Sequence, residues 1–161
     1  MNRRPRNPKT LDRTDLRILE CLQADGRISN VQLANKVNLT PTPCIERVKR
    51  LERQGYIKGY TAILNPKLVN AGLLVFVEID LSHNSPDAFR EFREEARKLP
   101  EIMDCHLVSG NFDYLIKARV NDMKAYRELL GEKILALPGV KASRTYVVME
   151  EVKETLNLPL F

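Results

Sequence analysis

The chain has no tryptophan, only two histidines and only three cysteines in 161 residues. Each scarcity excludes something. Cys21, Cys44 and Cys105 are odd in number and widely spaced, which argues against a disulfide framework. No Cys-x-x-Cys and no pair of histidines offers zinc a ligand set, so no metal is expected. The three thiols read as small, mostly buried side chains. With only His83 and His106, and without a nucleophile–base pair or a phosphate-binding loop, no catalytic constellation stands out. His106 reads as a strand residue. No apolar run approaches the roughly 18 residues of a membrane span. The start, Met1-Asn-Arg-Arg-Pro-Arg6, is basic but has no apolar stretch behind it. A secretory signal is therefore not expected, and the cytoplasm is the expected compartment.

What is present is unevenly placed charge. The net charge is +5. Residues 1–65 hold 13 basic and 6 acidic side chains, a net +7, whereas residues 66–161 hold 13 and 15, a net −2. A polyanion would be drawn to the first part by counterion release. Solvated surface charge is the plain alternative. The length allows one domain or two small ones, with roughly 70% of the unfolded surface buried.

Residues 1–10 are polar, with two prolines and four basic side chains, and read as a flexible arm. A helix is predicted from about Asp12 to Ala24, its apolar stripe made by Leu11, Ile18, Leu19 and Leu22, and Asp25-Gly26 ends it. A second helix starts at Ser29, which forms a capping box with Gln32. Its inward residues are Leu33, Ala34 and Val37. After the turn Asn38-Leu39, Thr40 caps a third helix, with Pro41 at its first position and Pro43 tolerable there. Cys44, Val48, Leu51 and Gly55 recur at helical spacing and define its buried face. Glu46, Arg47, Arg50 and Gln54 are predicted on the opposite side, with Lys49 and Arg53 flanking. Two short helices joined by a tight turn, the second basic on its outer face, are how a helix-turn-helix meets DNA. Arginine suits guanine or phosphate, and Thr40 and Thr42 with free helix amides suit phosphate. The competing reading is a solvent surface in which Glu46 pairs with Arg50.

Residues 56–64 read as a strand and the stretch to 72 as a linker, punctuated by Gly59, Pro66 and Gly72. From Leu73 the apolar period becomes two. Leu73, Val75, Val77, Ile79 and Leu81 share one strand face; Leu74 and Phe76 precede Glu78 and Asp80 on the other. A helix opens at Ser85-Pro86 with the stripe Phe89, Phe92, Ala96 and Leu99. Strands follow at about 102–108 and 114–120, the second with Tyr114, Ile116, Ala118 and Val120 on one face. A second helix, about Asp122 to Leu137, turns Met123, Tyr126, Leu130, Ile134 and Leu137 inward. A last strand spans Val140 to Val152. The order βαββαβ is that of a ferredoxin-like fold. Two helices cover only one face of its sheet, so the other face calls for a partner, and a homodimer is expected. The predicted class is α+β: a winged-helix-like helix-turn-helix domain at 11–55, a hinge at 56–72 and a ferredoxin-like domain at 73–161.

This combination resembles the leucine-responsive regulatory protein and AsnC family of bacterial transcription regulators over about residues 11 to 154. The segments Asp25-Gly-Arg-Ile-Ser-Asn30, Thr40-Pro-Thr-Pro-Cys44, Arg50-Leu-Glu-Arg-Gln-Gly55, Cys105-His-Leu-Val-Ser-Gly110 and Thr145-Tyr-Val-Val-Met-Glu-Glu151 look like its leucine-responsive branch. The resemblance implies a non-enzymatic, nucleoid-associated regulator of transcription that binds double-stranded DNA and a free amino acid, leucine or methionine, and needs no cofactor. It implies dimers that assemble further, commonly to octamers. The implied DNA-contacting set is Arg27, Ser29, Asn30, Thr40, Thr42, Glu46, Arg47, Lys49, Arg50 and Arg53. Family effector sites lie between dimers at the turn joining the domain's second and third strands, here Gly110, Asn111, Phe112, Asp113 and Tyr114. Leucine-response positions correspond to Leu107, Asp113, Met123, Tyr146, Val147 and Val148. Chemically, turn amides suit a carboxylate, Asp113 an ammonium group, and Leu107, Met123 and Val147 an aliphatic side chain. An ordinary hairpin, with Asp113 a turn residue and Met123 in the core, is the alternative. An architectural DNA-compacting protein without an effector is the competing function. After Val152 the sequence departs from the branch: Leu156-Asn-Leu-Pro-Leu-Phe161 is apolar.

Overall fold

A computed structural model describes residues 11–160; the basic arm at 1–10 lies outside the described residues. The chain forms two units, one of residues 11–63 together with 153–160, the other of residues 64–152.

The first unit is three helices: α1 (Arg13–Ala24), α2 (Asn30–Lys36) and α3 (Pro41–Arg53). Asp12 caps α1 in a reciprocal box with Asp15, and Ser29 caps α2 in one with Gln32. Asn38, at φ 56°, makes the turn into α3; asparagine tolerates that left-handed conformation. Ile18, Leu19, Leu33, Ala34, Val37, Cys44 and Leu51 form the core. Gly55 is not part of it. It lies exposed beyond α3 at φ 79°, where the helix has already ended.

The strand predicted at 56–64 does not form. Pairing is what stabilises a strand, and no described ladder partner meets this one. Its first residues instead fold back on the helices: Ile57 packs on the core, and the Tyr60 hydroxyl donates to Glu52 at 3.0 Å. A Cβ on Gly26 would sit 3.4 Å from the Tyr60 ring. Among the described residues this unit has no wing strand.

The second unit is β1 (Leu73–Leu81), α4 (Pro86–Ala96), β2 (Ile102–Leu107), β3 (Tyr114–Val120), α5 (Met123–Glu128) and β4 (Val140–Val147). The sheet is antiparallel, in the order β2-β3-β1-β4, which is the predicted ferredoxin-like arrangement. Val75, Val77, Ile79 and Leu81 of β1 and Tyr114, Ile116, Ala118 and Val120 of β3 bury their inner faces against Phe92, Ala96, Tyr126 and Ile134.

Two elements differ from expectation. The second helix passes into a π-helical turn at Leu129–Ile134, where Leu135 N–H donates to Leu130 C=O. The wider turn shifts the helical phase, so Leu129 is buried and Leu130 only partly so. Met123, at the helix start, is 49% exposed instead of inward. The last strand stops at Val147, with one further bond from Val148 N–H to Leu74 C=O. Beyond it only Leu73 of β1 remains.

Candidate DNA-binding and effector sites

The outer surface of α3 is set by the residues it buries. At roughly 100° per residue, Thr42, Glu46, Lys49 and Arg53 line up opposite Cys44 and Leu51. All four are exposed. Arg47 and Arg50 are not on that stripe. They stand on the flank turned toward α1, in an ion-pair cluster. Arg47 Nη1 donates to Asp12 Oδ2 at 2.6 Å and to Asp15 Oδ1 at 2.8 Å, and Arg50 Nη2 lies 2.5 Å from Asp15 Oδ1. The Asp15 side chain is only 2% exposed and the two arginines about 30%. The predicted placement of Arg47 and Arg50 on the outer face, and the alternative Glu46–Arg50 pair, are both corrected: Arg50 spends its charge on Asp15. The bond from Arg47 holds the Asp12 carboxyl below the usual carboxylate range and raises the Arg47 guanidinium.

One signal in the sequence pointed there. Asp15 sits one turn before Ile18 and Leu19, on the apolar stripe of α1, and a carboxylate on a buried stripe requires a cation.

Thr40 occupies the cap position of α3 but its side chain makes no cap bond. Its hydroxyl is thus not consumed by the helix. Pro41 and Pro43 carry no N–H and the Cys44 N–H is bonded to Thr40 C=O, so Thr42 alone of the first four helical residues offers an uncommitted amide. The expected set of helix amides shrinks to that one. On α2, the Ser29 hydroxyl is engaged with Gln32. Asn30 and Arg27 are exposed, and Arg27 N–H donates to Asp25 at 2.9 Å.

In the second unit the β2–β3 turn is closed by Val108 N–H to Asp113 C=O at 3.0 Å. Gly110 and Asn111 are exposed at its tip, and Gly110 has φ 155° with open space around it. Asp113 is structural in part. Its N–H donates to Ile79 C=O, and its Oδ2 accepts Leu81 N–H at 2.7 Å, where the β1–β4 register shifts. One carboxylate oxygen is therefore committed to the strand irregularity. Phe112 is half-buried. Tyr114 is 1% exposed, stacked on Phe92 at 4.4 Å and edge-on to Phe89 at 6.1 Å. It is a core residue, with its side chain packed inside the sheet unit.

The remaining positions expected to bind an effector do not converge in one chain. Leu107, 54% exposed, pairs with Tyr114 at the hairpin end of the sheet. Met123 follows Val120 at the other end of β3, six residues or about 20 Å away. Tyr146, Val147 and Val148 lie on or just past β4, the opposite edge strand. Tyr146 donates to Glu78 at 2.9 Å. So Leu107 and Gly110 to Asp113 form one group, and Met123 with Tyr146 to Val148 belong to the far end.

No described group of three or more His, Cys, Asp or Glu side chains is placed to hold a metal ion. No described helix is long and apolar enough to cross a membrane.

Residues 74–158 match the Lrp/AsnC ligand binding domain, and residues 11–58 match a winged helix-turn-helix DNA-binding family. The leucine-responsive regulatory proteins of Escherichia coli K12 and Klebsiella pneumoniae are each 63% identical over 150 residues, 93% of this chain and 92% of theirs. A Neisseria meningitidis transcriptional regulator solved as its L-Met complex has a TM-score of 0.89 at 39% identity, covering 93% of this chain and 97% of its own. An AsnC family regulator from Agrobacterium tumefaciens also has a TM-score of 0.89, at 34% identity, covering 92% and 97%. With the helix-turn-helix, the βαββαβ sheet and these relatives in agreement, the chain belongs to the Lrp/AsnC family of transcription regulators.

Proposed function

We propose that this regulator reads DNA with the Thr42, Glu46, Lys49 and Arg53 stripe of α3 and changes its DNA affinity or assembly when leucine or methionine binds. The observation that carries the reading is the exposure of that stripe on the unit that holds the chain's excess positive charge. Lys49 and Arg53 are its cationic members. Thr40 and Thr42 at the helix start supply phosphate donors, and Arg27 and Asn30 supply flanking ones. The names of the relatives support the effector, since they are leucine-responsive proteins and a protein solved with L-Met.

The effector positions fall into two groups at opposite ends of one sheet. A pocket that uses both groups therefore needs a second chain, which supports a site between subunits and an assembly of dimers, commonly octameric in this family. The helix-free sheet face, which includes Phe76, is the dimerisation surface in this reading. DNA would hold the protein in the nucleoid of the cytoplasm.

Lys49→Ala and Arg53→Ala are each expected to weaken specific DNA binding by about 1–3 kcal/mol and to flatten its salt dependence, with the helical unit's melting unchanged. Fluorescence anisotropy on a selected operator, over a salt series, measures both. Full affinity in the double variant would remove the stripe from the interface. For the effector, calorimetric titration with leucine and with methionine, paired with sedimentation, is expected to give heat and a shift in assembly size. Neither heat nor shift with either ligand would favour an architectural DNA-binding protein.

A further inference from the structure

The chain passes between its two units twice, after residue 63 and again after residue 152. The second passage returns the C-terminal segment to α1. There Gln23 Nε2 donates to Leu158 C=O at 3.1 Å, and Gln23 Oε1 accepts Leu158 N–H at 2.7 Å. A primary amide carries both a donor and an acceptor, so it pairs with one extended residue as a neighbouring strand would. The sequence prepares that residue. Leu158 precedes Pro159, which biases it to the extended conformation, and an extended residue points its N–H and C=O to the same side. Two residues on, Leu160 packs against the helical core that contains Ile18, Leu33 and Leu51. Leu156 and Leu158 keep their side chains in solvent, so the backbone clamp and Leu160 make the attachment.

The root of this segment lies beside the positions that the family links to effector response. Tyr146 and Val147 end β4, and Val148 follows it. Three residues later Glu151 is paired with the nearly buried Arg119, and the segment that reaches α1 begins at Lys153.

We propose that the C-terminal tail is an intramolecular strap: a second tether through which the effector unit restrains the DNA-binding unit and passes its state to α1. A helix-turn-helix joined by the single crossing after residue 63 keeps more orientational freedom than one joined twice. Closing a second connection removes much of that freedom. The transmission half of the inference rests on the effector-responsive reading above; the docking half does not.

The test uses the full-length protein, a chain ending at Val152, and the variants Gln23→Ala and Leu160→Ser. Hydrogen exchange without DNA or amino acid reads docking. In the full-length protein the Leu158 amide is expected to be protected, and in Gln23→Ala that protection is expected to be lost, with faster exchange in the last turn of α1. Equal exchange of Leu158 and α1 in both proteins would overturn the strap. DNA affinity with and without leucine or methionine reads transmission. The truncated chain and both variants are expected to bind the amino acid with unchanged heat, while its effect on DNA affinity falls about threefold or more. An unchanged effect in all three would overturn transmission. If the intact protein shows no effector response, the regulator reading and transmission fail together, and hydrogen exchange still decides docking.

Discussion

Asp15→Ala is expected to lower the stability of the helical unit by about 3 kcal/mol and leave the sheet unit's melting unchanged. Removing one partner of a buried ion pair costs about 3–5 kcal/mol because the other charge is left without compensation. Here two guanidinium groups lose their shared carboxylate, Arg47 at 2.8 Å and Arg50 at 2.5 Å. Both remain partly exposed, so water relieves some of the penalty and the lower end applies. Asp15 also accepts Asp12 N–H in the α1 cap, and that bond goes too. Denaturant unfolding followed by circular dichroism and by hydrogen exchange in each unit makes the measurement. A helical unit that unfolds at the wild-type midpoint would mean that the cluster contributes nothing.

The same cluster allows the two roles of arginine to be separated. Replacing its buried part, with Asp15→Leu, Arg47→Met and Arg50→Met together, leaves only the half-exposed Asp12 without an ion partner and is expected to recover most of the stability. DNA binding then reports on the arginines alone. Affinity at the wild-type level would make Arg47 and Arg50 purely structural, with DNA contact left to Lys49 and Arg53. A loss of about 1–3 kcal/mol in a stable triple variant would give them a second role at the phosphates.

Tyr114→Ala is expected to destabilise the sheet unit by about 3–5 kcal/mol, the usual cost of removing a buried aromatic side chain. The ring is stacked on Phe92 and edge-on to Phe89, and its hydroxyl reaches Phe89 C=O at 3.4 Å. Tyr114→Phe keeps the ring and is expected to fold and bind the amino acid as the parent does. Thermal melting with calorimetric titration distinguishes the two substitutions. A well-folded Tyr114→Phe protein that no longer binds the effector would return Tyr114 to the ligand site.

Much of the architecture was legible because the patterns behind it are local. Ser29 and Gln32 three residues apart, alternation from Leu73 to Leu81, and the stripe of Phe89, Phe92 and Ala96 each follow from the period of a helix or strand. Pro138-Gly139 stopped the second helix, with Gly139 at φ 75°. The misjudged elements depend on distant parts of the chain. A strand at 56–64 needed a partner that the described chain does not provide. A uniform helical period puts Met123 on the inward stripe with Tyr126, but Met123 is the first residue of its helix and is exposed there.

The site residues divide in the same way. That α3 is basic and amphipathic is written in residues 40–55. Helical phase sets Arg47 and Arg50 on the flank beside α1, where Asp12 and Asp15, 32 to 35 residues upstream, hold them in ion pairs, while Lys49 and Arg53 stand on the outer stripe. By itself the sequence determined two fold types, their order and the family, because periodicity, caps and motif strings are short-range. Only the tertiary structure decided that Tyr114 is core, that the proposed effector positions lie at opposite ends of one sheet, and that residues 153–160 belong with the helices. Burial, ion pairing and the Gln23–Leu158 clamp join residues up to 135 positions apart, and no local pattern encodes a contact of that range.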